Sequence, residues 1–481
     1  MQTNIAKSLV FFLVAAVAAP QSYSPTEEET RALASISADS LRGNLSFIAS
    51  DLLEGRDTPS RGLDIAALYI AAQFRRAGLE PAAGDGYCQT ANMLRVEPPA
   101  ESFDLRLRSG DRMLDVSRDR TRVVSLGPLQ LSGAPVYKIA AHADLRLSDV
   151  KGKVVDLGRT REGIRAVAEA AALLVPAAFL ETADEDGGPA PARLIDTDVE
   201  PTLFAGVPLL IVRDTEAVKL LEDAKTGETG IALSLKLSAP TATQTTVCNV
   251  AAVLRGSDAA LRGQYILLTA HYDHLGRSSA GEVFPGANDD GSGTVSVIEI
   301  AQALATLPVH PKRSIVFMAF FGEEEGGLGS RYYTRHPLFP LAQTVADLNL
   351  EQVGRIDASG GEQISSATLT GFRYSTIART LLEAGERTGV KVYETPNGDD
   401  FFDRSDNLTF AEHGIPAHTL VVAFEFPDYH GTGDVWQKID YANMAKVDRM
   451  IALGVLMLAD NVSPPGWNRG NPKVERYLNG K

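Results

Sequence analysis

Cysteine is scarce in this chain: Cys88 and Cys248 are the only two among 481 residues. Neither stands in a His/Asp pattern that would make it a nucleophile, which argues against a thiol-based catalytic centre. Basic charge is also in deficit, with 46 Lys and Arg against 61 Asp and Glu and a formal net charge of −15. Such a surface argues against nucleic acid as a partner and against polybasic docking on anionic membranes, and it leaves a peptide substrate open. Beyond the N-terminus no run is long and apolar enough to span a bilayer, and no internal repeat is present.

What remains is a globular composition, 44% hydrophobic and 22% charged, with two domains as the expectation for this length. The apolar run 9–18 (LVFFLVAAVA) follows Lys7 and ends in Ala16-Val17-Ala18. It is too short to cross a bilayer and reads as a secretory signal cut near Ala18 or Ala19. An exported protein, periplasmic or secreted, is therefore expected, with no stable membrane insertion after cleavage. Export permits Cys88 and Cys248 to pair, because GYCQ and TVCN read as neighbouring parts of one domain; a disulfide and two free thiols both stay open.

Residues 27–83 predict two helices, the second over 63–77 with Ile65, Leu68, Ala72 and Phe74 at mostly helical spacing and Gly78 as its stop. Short strands follow over 87–118. From Val123 to Pro240 the texture changes to short β-rich runs around an alanine-rich helix at 162–172, with no His/Asp/Glu cluster of metal spacing. This stretch reads as an inserted lid or spacer. From Val250 onward apolar strands at 265–270, 314–320, 345–350 and 418–424 alternate with helices, notably 294–307 and 442–461. Continuous apolar strands separated by helices predict an α/β fold with a mixed, mostly parallel central sheet flanked by helices. The expected organisation is a signal peptide over 1–19, main domain over 26–122 and 241–463, an insertion over 123–240, and a loosely held tail over 464–481.

Five motifs carry chemistry. His271, in TAHYDH, directly follows the strand at 265–270, and ligands gather beyond the carboxyl ends of strands in open α/β sheets. Asp273 can accept from its other ring nitrogen and fix the tautomer; His274 reads as structural. The run 286–293 (GANDDGSG) combines turn-forming glycines with Asp289, whose two oxygens can bridge two cations, and Asp290, which suits a helix cap. It lacks the spacing of an EF-hand calcium loop. Residues 322–327 (GEEEGG) follow the second strand. Adjacent carboxylates repel unless a cation or proton separates them, and one ligand beside one general base resolves that conflict. Chemistry alone leaves open which of Glu323, Glu324 and Glu325 does which. Glu351 follows the third strand, and His430 follows the fourth, with Tyr429 beside it as a donor to a developing oxyanion. Singly, each residue is as well read as a cap, a solvated acid or a loop histidine. Together, in this order, they suit a pair of borderline-hard cations such as Zn²⁺, which activate water and polarise a carbonyl.

These segments resemble the co-catalytic di-zinc aminopeptidase family, whose relatives include glutamate carboxypeptidase II, transferrin receptor and glutaminyl cyclases. The matching stretches are TAHYDHLG, GANDDGSGT, FFGEEEGGLGSRYY, NLEQVGR and YHGTGD with KID, in family order; LLEGRDTPSRG and YIAAQFRRAGLEP resemble its N-terminal region. Residues 149–153 and 206–208 are similar to a protease-associated domain. The resemblance implies two Zn²⁺ per chain, with His271 and Glu351 on one, Glu324 and His430 on the other, and Asp289 between them. Anchoring on GSRYY at 329–333 implies that Glu323 is the general base. Arg404 matches a position near the substrate, and Glu351 is expected beside the peptide amine. Two positions depart from the family pattern: Glu351 stands where Asp is common, and Asn407 where a His commonly follows Ser-Asp. The expected function is an exported metallo-aminopeptidase. The alternatives are carboxypeptidase, dipeptidase or glutaminyl cyclase chemistry on the same scaffold, and a non-catalytic receptor-like ectodomain. Nothing in the sequence sets the oligomeric state.

Overall fold

The structure, a computed structural model, describes residues 23–97, 103–125, 127–139, 150–157, 170, 172–176, 193–196, 207–278 and 280–478. The expected signal peptide lies outside these residues, as does almost all of the helix expected at 162–172; its last residue, Ala172, opens a strand instead.

A ten-stranded mixed sheet organises the main body. Its order is Lys391–Tyr393, Ser366–Leu369, Ala417–Val421, Thr344–Glu351, Tyr265–His271, Ser314–Phe320, Thr241–Leu254, Cys88–Glu97 and Arg193–Asp196, with Glu80–Pro81 also pairing Thr241–Leu254. The middle four strands run parallel. Tyr265–His271, Ser314–Phe320 and Ala417–Val421 are buried at every residue, as strands covered on both faces must be. The pairs formed by Thr241–Leu254 and Cys88–Glu97, and the pair between Ser366–Leu369 and Ala417–Val421, are antiparallel.

Alternation along Tyr265–His271 explains the two layers of core. Ile266, Leu268 and Ala270 pack with the helices Glu27–Ser35, Ala38–Ile48, Arg61–Arg76, Gly293–Ala305, Ile377–Thr388 and Tyr441–Asp460. Tyr265 and Leu267 face the opposite way, toward Phe339, Phe402, Phe410 and Tyr477. Gly293–Ala305 is apolar almost all round and accordingly buried nearly throughout. Local chemistry sets the ends of Arg61–Arg76: Ser60 Oγ accepts from the Leu63 amide at 3.0 Å, and Gly78 leaves the helix at φ +77°.

A second sheet of eight strands takes Phe103–Ser109 and Arg112–Val116 at one edge and Leu209–Val212 and Thr121–Val124 at the other. Its strands span Phe103 to Leu237. It therefore recruits two strands that precede residue 123, where the expected insertion begins. The reason is a register: Phe103–Ser109 pairs residue for residue with Gly227–Leu237, more than a hundred residues later.

Cys88 and Cys248 form a disulfide between neighbouring antiparallel strands. The tail, expected to be loosely held, is instead docked. Val474 and Tyr477 are buried, Trp467 stacks on Tyr477 at 5.4 Å, and Lys473 and Arg476 pair with Asp399 and Asp403 at 2.6 and 2.5 Å. Among the described residues no helix is long and apolar enough to cross a membrane.

Candidate metal centre

Three neighbouring parallel strands end at one place. Tyr265–His271 delivers His271 and Asp273, Ser314–Phe320 runs into Glu323 and Glu324, and Thr344–Glu351 terminates on Glu351. The loop 286–292 enters from the side and presents Asp289.

Asp289 sits at the middle. Its Oδ1 lies 3.4 Å from His271 Nε2, and its Oδ2 lies 3.2 Å from His430 Nε2. His430 Nε2 is also 3.4 Å from Glu324 Oε2, and Glu323 Oε2 is 4.0 Å from His271 Nε2. Behind His271, Asp273 Oδ1 stands 3.5 Å from Nδ1. Asp273 also accepts the backbone amides of Glu323 and Glu324 at 3.1 and 3.3 Å, which couples the first and third motifs. Asp290 accepts from the Gly293 amide at 3.0 Å, the cap read from sequence, and from the Gln352 amide at 3.2 Å.

The electrostatics are those of crowded acids in a dry place. Burial raises Glu323 well above the ordinary carboxylate range; His271 opposes this, and Glu351 and Glu324 add to it. Burial lifts Glu351 to about 7, with His271 opposing and Asp289 adding. Burial would raise Asp289 too, but the two imidazoles hold it below the usual range. Burial would depress His271 and His430, yet their carboxylate partners raise both. One His271 nitrogen and one His430 nitrogen against opposite oxygens of a single carboxylate, with further acids alongside, is a donor set of N and O atoms that fits a pair of zinc-like cations.

Beside this cluster a cavity of about 120 Å³ is lined by Glu351, Phe401, Arg404, Ser405, Phe424 and Tyr429, among others. Ser405 Oγ donates to Glu351 Oε1. Phe401 and Phe424 stack at 4.5 Å, and the Arg404 guanidinium lies 5.0 Å from the Phe401 ring centroid. Tyr429 is 38% exposed and stacks on His430 at 4.0 Å; burial of its hydroxyl, then Asp289 and Glu324, raises its pKa and keeps the phenol protonated.

Residues 249–455 match Peptidase family M28. This segment belongs to that family. Aminopeptidase YwaD of Bacillus subtilis is 32% identical over 157 residues, which are 32% of this chain and 31% of that relative. The chain thus spans about a third of the length of that curated relative. The fold is shared with an aminopeptidase from Aneurinibacillus sp. strain AM-1, at TM-score 0.61 and 18% identity over 89% of this chain and 95% of that one. It is shared also with BSAP, a zinc aminopeptidase from Bacillus subtilis, at TM-score 0.51 and 21% identity over 89% and 97%.

The M28 segment contains His271, Asp273, Asp289, Glu323, Glu324, Glu351, Arg404, Tyr429 and His430, and the structure gathers all of them around one cleft. Two supports escaped the sequence reading. Asp434 accepts the Asn288 amide at 2.9 Å and the Asp289 amide at 3.1 Å, so it holds the loop that presents Asp289. Its only signal was its place at the end of YHGTGD. Arg56 lies outside the M28 segment, fully buried, and donates to the carbonyls of Tyr272, Ile48, Pro285 and Gly286 at 2.7, 2.7, 2.7 and 2.9 Å. Burial lowers its pKa to about 10, opposed by Asp273, Asp434, Asp290 and Asp289. Its signal was the stretch LLEGRD. Asn407, assigned no ligand role, is buried behind the cavity, where it donates to the Phe402 carbonyl and accepts from Thr419, which lines it.

Proposed function

We propose that this chain is an exported zinc-dependent exopeptidase, an aminopeptidase that removes N-terminal residues from peptides. The observation that carries the reading is Asp289, one carboxylate whose two oxygens face imidazoles from different motifs. The reading is supported by membership of the 249–455 segment in peptidase family M28, and by the names of the relatives, YwaD an aminopeptidase and BSAP a zinc aminopeptidase.

In this reading His271 and Glu351 would hold one zinc, Glu324 and His430 would hold the other, and Asp289 would serve both. When bound there, two such ions would supply Lewis acidity toward the scissile carbonyl and lower the pKa of water. The rest belongs to the side chains. Glu323, 4.0 Å from His271 Nε2 and held through its amide by Asp273, takes the proton of the attacking water and returns it to the leaving amine. Tyr429, kept protonated, donates to the oxyanion. Glu351 and the cavity it borders receive the free amine and first side chain, with Phe401 and Phe424 as apolar walls. Asp273 and Asp434 orient without touching substrate. The eight-stranded sheet, which takes up most strands of the expected 123–240 insertion together with Phe103–Ser109 and Arg112–Val116, is read as the protease-associated domain, with a spacer as its role.

Arg404, in the same cavity, favours one second reading: a carboxypeptidase that captures a terminal carboxylate. A panel of peptides free at both ends, N-acetylated or C-amidated separates the two. The aminopeptidase reading expects hydrolysis of free and C-amidated peptides and loss on N-acetylation. Equal rates on acetylated and free peptides would overturn it.

A further inference from the structure

Glu324 is gripped from two sides. Its Oε2 lies 3.4 Å from His430 Nε2. Its Oε1 lies 2.9 Å from His274 Nδ1, and because an ionised carboxylate only accepts, His274 Nδ1 carries the proton of that bond. The His274 ring has little freedom to leave. It is 1% exposed, stands edge-on to the His430 ring at 5.7 Å and 78°, and packs on Gly286, where an added Cβ would fall 2.4 Å from a ring carbon. Its backbone amide donates to the carbonyl of the buried Arg56 at 3.2 Å. One ligand atom each from His274, Asp289 and Glu324 lies within 4.8 Å of the others, so this imidazole belongs to the charged cluster rather than to the apolar core.

The loop that carries Glu324 needs such a hold. Gly322, Gly326 and Gly327 all adopt positive φ around it, and glycine at those positions gives the backbone little stiffness of its own. We propose that His274 is a positioning residue for Glu324: its Nδ1–H fixes one carboxylate oxygen and leaves the other directed at His430 and Asp289 to take a metal ion. The inference rests on the two-metal reading above. It assigns His274 a role in the affinity of the Glu324/His430 position alone, and partners of this kind are worth about 10–100-fold in metal affinity.

The test titrates metal-free full-length chain with Zn²⁺ in competition with a chromophoric chelator, and with Co²⁺ read by visible absorption. His274→Phe keeps ring volume and removes the donor; His274→Asn keeps a donor near the Nδ1 position. The parent should take two ions. His274→Phe should weaken one of them by about 10–100-fold and leave the other unchanged, with the Co²⁺ spectrum altered at that step only. His274→Asn should recover most of the lost affinity. Two ions bound by His274→Phe as tightly as by the parent would overturn the inference, as would a His274→Asn variant no better than His274→Phe. A parent that binds fewer than two ions would instead overturn the two-metal reading.

Discussion

Replacing Arg56 by Met keeps an unbranched side chain of similar reach and removes every donor. The structure sets the expected cost. Four carbonyls, those of Ile48, Tyr272, Pro285 and Gly286, lose their guanidinium partner at 2.7–2.9 Å in a fully buried place. A buried acceptor left unpaired costs about 1–3 kcal/mol, and partial relaxation makes four such terms less than additive. The Arg56→Met variant should therefore lose roughly 3–5 kcal/mol in urea unfolding of the metal-loaded chain. The same carbonyls position the turn after His271 and the entry to the Asp289 loop, so metal affinity should fall with stability. Arg56→Lys keeps the charge without the fork and should fall between. A Met variant within about 1 kcal/mol of the parent, with unchanged metal affinity, would refute the argument that this arginine ties the first two motifs together.

Two further outcomes follow from groups away from the cleft. Asp448, fully buried on the helix Tyr441–Asp460, is raised well above the carboxylate range by burial, with Glu299 adding and Ser296 and Arg449 opposing. A carboxyl raised by folding is favoured in its neutral form, so its contribution is fully present at low pH and is lost as pH climbs past the unfolded value toward the folded one, by up to about 1.4 kcal/mol per pH unit. Asp448→Asn should thus gain on the parent in thermal melts as pH rises from about 4 to 8; a constant or shrinking difference contradicts this. The docked tail holds the loop that carries Phe401 and Arg404, through Lys473 with Asp399 and Arg476 with Asp403. The Lys473→Ala/Arg476→Ala pair should raise KM a few-fold with kcat and zinc content nearly unchanged, and an unaltered KM would separate the tail from the cavity.

The legible part of this chain was its local part. Apolar strands that end in His271, Glu323–Glu324 and Glu351 announce both a buried sheet and the chemistry at its carboxyl edge, because strand period and ligand type are properties of short segments. The Asp290 cap was legible for the same reason. What stayed hidden depends on partners far apart in sequence. Arg56 reads as an ordinary charged loop residue until the carbonyls of Tyr272, Pro285 and Gly286 surround it. Asp434 acts on amides more than a hundred residues earlier, and the pairing of Phe103–Ser109 with Gly227–Leu237 moves the edge of the second sheet without any local mark. The tail looked loose because Pro464, Pro465 and Gly466 open it; the aromatic anchors that dock it, Trp467 and Tyr477, find their partner in Phe402.

The most direct measurement of the central claim is turnover and zinc content of Glu323→Gln side by side. The substitution keeps size and hydrogen-bonding atoms and removes the group that moves the proton, in a residue 4.0 Å from His271 Nε2. Two zinc ions should be retained per chain, and release of N-terminal residues from free peptides should fall by at least about 10²–10⁴-fold. A Glu323→Gln protein that keeps its zinc and hydrolyses peptides at close to the parent rate would contradict that claim.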